Sequence, residues 1–138
     1  MKKKLLIFLV IGLITIGLLF GILVLVLSLT WKPTILDKYS FSDSEKSIIA
    51  SELNIPAHQI SIDEMHYSHG KDSSFLIYVT ASSLDVLSSY EYQGLQYYTN
   101  KPYYNNSDGI VCTVDSEDPY KLTFSINDWN KILYDLMK

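Results

Sequence analysis

The chain is divided by one unbroken apolar block. Residues 5 to 29 read LLIFLVIGLITIGLLFGILVLVLSL, with no charged side chain and only Thr15 and Ser28 bearing hydroxyls. A helix over those residues, at 1.5 Å each, is about 37 Å long, more than the roughly 30 Å of a bilayer's hydrocarbon core. It can span with some tilt. A cleaved secretory signal has a shorter apolar stretch, roughly 7 to 15 residues, followed by small residues. Ser28 and Thr30 imitate that cleavage site without any Ala, so the block reads as a retained signal-anchor. No Cys follows it, which excludes a lipoprotein signal.

Charge sets the expected orientation. Residues 1–4 carry Lys2, Lys3 and Lys4, whereas Lys32 and Lys38 are diluted over the stretch beyond the block. The side with the denser Lys stays in the cytoplasm, and a following domain passes largely regardless of its own charge. The expected arrangement is a Lys-rich cytoplasmic head (1–4), one transmembrane helix (5–29), a linker (30–41) and an extracytoplasmic domain (42–138) at the cell membrane. Trp31, just past the block, suits the headgroup region, where an indole buries its ring and keeps its N–H wet. Inside the span, Gly17 and Gly21 form a GxxxG pattern on one helix face, the candidate contact of a homodimer.

With 138 residues there is room for one ordinary domain and none for a large multidomain enzyme. Beyond the block, eight Lys face 15 Asp and Glu, a net of −7, which repels nucleic-acid phosphates and argues against DNA or RNA as partner. The single cysteine, Cys112, cannot form an intramolecular disulfide, so packing and hydrogen bonding alone must hold the domain. All 11 basic residues are Lys, a bias expected of an AT-rich bacterial genome.

The elements of the domain follow from periodicity. Pro33 stops the span from continuing. Ser42 with Glu45 fits a capping box, Ile48, Ile49 and Leu53 supply a stripe, and the spacing predicts a helix over 43–53 ended by Asn54-Ile55-Pro56. Strands are expected over 60–67 and 74–81, the second apolar on both faces and central in its sheet. Ser82 or Ser83 would cap a helix carrying Leu84, Leu87 and Tyr90. Alternation over 110–114 and 120–126 predicts an antiparallel hairpin. Asn127 would cap a last helix in which Trp129, Ile132, Leu133, Leu136 and Met137 form one stripe. The two hairpin-then-helix units overlay at an offset of 46 residues, matching Leu76 with Leu122, Tyr78 with Phe124 and Val86 with Ile132. The expected class is α+β: an N-terminal transmembrane helix, then an antiparallel sheet of four to five strands with two or three helices packed on one face.

Chemistry is thinly signalled. His58, Asp63, Glu64, His66, His69 and Asp72 crowd together, but on a strand Glu64 and His66 share a face that His69 does not, and no HExxH is present. Asp115, Glu117 and Asp118 lack the spacing of a calcium loop and read as an acidic turn. There is no GxSxG, no glycine-rich phosphate loop and no base in pattern with Cys112. No catalytic, cofactor-binding or metal residue is therefore assigned.

The residues least explained by folding lie between Tyr90 and Asn106, which hold 6 of the 11 Tyr. Tyr gives large rigid contact area and a hydroxyl, the combination that favours recognition surfaces on loops. Tyr97, Tyr98, Tyr103 and Tyr104 are the candidate partner-binding residues. The expected function is non-enzymatic: a membrane-anchored domain that binds a protein as an accessory, immunity or inhibitory factor. The rival readings are a small metal-dependent envelope hydrolase using His58, His66 and His69, and a membrane scaffold dimerising through Gly17 and Gly21.

Overall fold

The computed structural model describes residues 2–30, 33–70 and 72–138, so the expectation for Trp31 lies outside the described residues. The chain forms two units, residues 1–33 and 34–138. The first is a single helix, α1 (Lys2–Thr30), which takes in the three expected head lysines. Its stretch Lys3–Leu29 is long and apolar enough to cross a membrane. Its large apolar side chains, Leu5 to Leu29, are all exposed.

The second unit is α+β. Its seven strands are β1 (Thr34–Lys38), β2 (Ile60–His69), β3 (Ser73–Ala81), β4 (Glu91–Leu95), β5 (Pro102–Asn105), β6 (Val111–Val114) and β7 (Lys121–Ile126). They form one antiparallel sheet in the order β1-β2-β3-β7-β6-β5-β4. The expected four to five strands were too few. Thr34–Lys38 lies in the stretch expected as linker, yet it pairs with β2 from Thr34↔His69 to Lys38↔Met65.

Alternation decides which face is buried. Met65, Tyr67, Phe75, Ile77, Val79, Cys112, Leu122 and Phe124 point to one side and are almost wholly enclosed. The opposite side carries His66, Leu76, Tyr78, Thr113, Thr123 and Ser125, as the register with their buried neighbours requires. β3 is therefore interior to the sheet, as expected, but not apolar on two covered faces: Leu76 is 36% exposed. The same parity breaks the 46-residue overlay. Leu76 points outward where Leu122 is core, and Val86 is core where Ile132 is exposed. An offset of 47 would set Phe75, Ile77 and Val79 on Leu122, Phe124 and Ile126, all buried.

The helical elements supply the cover. Helix α2 (Asp43–Glu52) starts at the expected capping box, the Ser42 hydroxyl accepting from Glu45 N–H and the Glu45 carboxylate accepting from Ser42 N–H. It ends with Asn54 at φ 57°, Asn54 N–H bonding Ser51 C=O and Ile55 N–H bonding Ala50 C=O, a Schellman closure. Ile49 and Leu53 enter the core. Ser42→Ala should lower the unfolding free energy by about 1 kcal/mol, measured by denaturant titration, because Glu45 N–H loses its acceptor and the Glu45 carboxylate loses the Ser42 hydroxyl donor.

Two expected helices differ. Residues Leu84–Leu87 form only a 3₁₀ turn without a side-chain cap; of the expected stripe Leu87 and Tyr90 are buried but Leu84 is exposed, and Val86 enters the core in its place. The last helix, α3 (Lys131–Leu136), is capped by Asn130, whose Oδ1 accepts from Leu133 N–H, and not by Asn127. The later start rotates the stripe: Leu133 and Met137 are buried, while Trp129 and Ile132 are exposed. Lys38 joins three elements, its Nζ lying 2.5 Å from the Glu45 carboxylate on α2 and 2.6 Å from the Leu136 carbonyl on α3. That bond and the Ser42 bonds hold the Glu45 carboxyl down to about 2.

Candidate functional site

The β4–β5 hairpin builds the site. Its loop is closed at the base by Gln96 N–H donating to Lys101 C=O (2.9 Å), and across by Asn100 N–H donating to Gln96 C=O (2.9 Å). Asn100 takes φ 53°, a left-handed conformation that Asn tolerates well. The Thr99 hydroxyl donates to the Gln96 side-chain carbonyl at 2.7 Å. Lys101 then ties the hairpin to the β6–β7 turn through Asp115, 2.9 Å away. Lys101, with the N–H groups of Glu117 and Asp118, holds the Asp115 carboxyl down to about 2.

On this braced loop Tyr97 is 92% and Tyr98 95% exposed. Their rings touch each other edge to face, 5.0 Å between centroids. With Leu95, Gln96, Thr99, Tyr103 and Val111 they line an open groove of about 460 Å³. Tyr103 pairs with Thr113 on the uncovered side of the sheet, so it shares the groove.

Tyr104 does not join them. One residue further along β5, it sits opposite Cys112, its ring 5.3 Å from that of Tyr92 and packed against the core. A strand turns consecutive side chains to opposite faces, so Tyr103 and Tyr104 cannot serve one surface together. Tyr90, further back, is buried, and its hydroxyl donates to Leu53 C=O at 2.7 Å. Burial also pushes the Cys112 thiol up to about 12, which leaves it un-ionised at neutral pH.

The histidines are dispersed. His58 lies in a 3₁₀ turn (Ala57–Gln59), His69 contacts the Ser73 hydroxyl at 2.8 Å, and Asp63 accepts from the Thr80 hydroxyl. Among the described residues no group of three or more His, Cys, Asp or Glu is placed to hold a metal ion. His66 instead bridges two carboxylates, Nδ1 at 2.6 Å from Asp37 and Nε2 at 3.3 Å from Glu64. Tyr39 and Tyr78 flank it edge-on, at 5.8 and 5.5 Å. Asp37 lies on β1, within the stretch expected as linker.

Hydrogen bonding to Asp37, ahead of that to Glu64, raises the His66 pKa above its usual 6.5 against the opposing effect of burial. A raised folded-state pKa stabilises fully below 6.5 and loses that contribution as pH rises through the raised value. The melting temperature should therefore fall across that window, and His66→Gln should flatten that component of the dependence.

No family model matches the chain, and no curated protein or solved structure matches it. The site must be read from its own geometry.

In α1, Gly17 and Gly21 have no neighbouring atom within 4 Å of where a Cβ would stand. Their spacing puts them on one face, open to another helix.

Proposed function

We propose that this chain is a single-pass membrane protein whose extracytoplasmic α+β domain binds a protein partner through the tip of its β4–β5 hairpin, without catalysis. The observation that carries this reading is a loop fixed by hydrogen bonds that projects two almost fully exposed Tyr rings. Folding gains nothing from leaving two such rings in water. Rigid aromatic anchors on a preorganised loop lose little entropy on binding, so their contact area is converted efficiently into affinity.

Strand register adds a topological argument. Thr34, where the chain enters the sheet after α1, pairs with His69, and that end also holds Ser73, Ile126 and Asn105. The tip follows Leu95↔Pro102, at the end holding Ala81, Lys121 and Val114. The tip thus lies at the end of the sheet opposite Thr34, the first residue of β1. Anchoring keeps such a surface concentrated near membrane partners.

A photo-crosslinking residue at position 97 or 98 in the full chain, irradiated in native membranes, tests the reading. The expected result is one discrete adduct with another protein, absent when the same group replaces exposed Ser44 on α2. Equal labelling from both positions, or none from the tip, would contradict it.

A further inference from the structure

We propose that an aromatic rim made by Trp129 and Tyr134 beside Thr34 seats the domain on the headgroup layer of the membrane its own helix crosses. The proposal rests on the anchor reading and concerns a surface separate from the hairpin tip. Thr34, Tyr67, His69, Trp129 and Tyr134 line one shallow groove of about 340 Å³. The Trp129 and Tyr134 rings lie 4.7 Å apart, and both stand edge-on to Tyr67 at 6.1 and 5.2 Å. Tyr67 is buried and forms the back of the cluster, whereas Trp129 remains 51% exposed. Lys138 places its Nζ 4.5 Å from the Tyr134 ring centroid.

Indole and phenol rings with an adjacent Lys suit the layer between hydrocarbon and water, where each keeps an apolar body dry and a polar end wet. The occupant follows from covalent reach. Thr34 is itself part of the groove wall, and only residues 31–33 separate it from Thr30, the last residue of α1. Whatever their conformation, four peptide links keep Thr34 within about 14 Å of Thr30. Helix α1, at 1.5 Å for each of its 29 residues, is about 43 Å long, which matches a bilayer with both headgroup regions. A lipid surface is therefore always within reach of this rim, at an effective concentration that no free partner matches. Lys138 lies at the Tyr134 side of the rim, while Glu52, Asp108 and Asp128 line a separate groove that shares Trp129, so zwitterionic headgroups fit this face of mixed charge better than an anionic patch.

The full chain carrying Trp31→Phe has Trp129 as its sole indole. It is reconstituted into phosphatidylcholine vesicles with or without a nitroxide on the lipid headgroup. The chain should float with the vesicles, and Trp129 emission should fall by about half with the nitroxide lipid. A second variant inserts about twelve Gly and Ser residues between Pro33 and Thr34, a flexible extension that removes the enforced proximity. Quenching that persists there shows that the rim docks by its own affinity. Quenching lost in the extended variant, or absent from the first while the protein floats, would overturn the docking and leave the anchor standing. Failure to float would overturn both.

Discussion

Replacing Tyr97 and Tyr98 by Ala is expected to abolish partner capture while the denaturation curve stays where it was. The two rings contact each other and otherwise face solvent, so their loss removes little folded-state packing. Surface changes of that kind alter stability by less than about 0.5 kcal/mol. Aromatic anchors at the centre of an interface commonly cost about 2 kcal/mol or more each when truncated, which is roughly a 30-fold loss of affinity for one ring. The measurement pairs binding to the crosslinked partner, once identified, with thermal unfolding of the same variant. Tyr104→Ala is the necessary contrast, because that ring packs against the core and its removal should lower stability first. Binding that survives the loss of both tip rings would move the interface elsewhere.

Phe124→Ala should come close to unfolding the domain. Phe124 is fully buried on β7, between Ile77 of β3 and Cys112 of β6, with the Tyr90 ring 5.6 Å away. Truncating a buried Phe leaves a cavity and costs about 3 to 5 kcal/mol. Domains of this size have about 5 to 15 kcal/mol in all, and no disulfide restrains this unfolded chain. A fall in melting temperature of roughly 15 °C or more is expected. Thr123→Ala, one residue away on the uncovered face, should change it little. Comparable effects at the two positions would contradict the register of the sheet.

That contrast also explains what could be read from the residues alone. The alternation over 110–114 and 120–126 marks the β6–β7 hairpin because it repeats over several residues, and Ser42 with Glu45 marks the start of α2 because a capping box has a fixed spacing. The missed strands β1, β4 and β5 have 5, 5 and 4 residues. β6 is as short, but it alternates, whereas Thr-Ile-Leu-Asp-Lys, Glu-Tyr-Gln-Gly-Leu and Pro-Tyr-Tyr-Asn do not, and Gly94, at φ 113° beside a bulge, interrupts β4 further. Asn127 and Asn130 are both good caps, so the residues alone do not separate an early from a late start of the last helix. Only tertiary packing of Leu133 and Met137 chooses between them.

The candidate site was legible as a Tyr-rich segment but not as a surface. Tyr103 and Tyr104 fall on opposite faces because β5 is a strand, and Pro-Tyr-Tyr-Asn carries no sign of that two-residue period. The Asp37–His66 contact required pairing between β1 and β2 and had no local signature.

Protease treatment of intact cells producing the full chain is the most direct test of the arrangement proposed here. Residues 34–138 should be degraded before lysis, while a cytosolic marker persists and the apolar helix stays with the membrane fraction. A domain that survives until the cells are broken, or that is recovered free of the membrane in the medium, would contradict it.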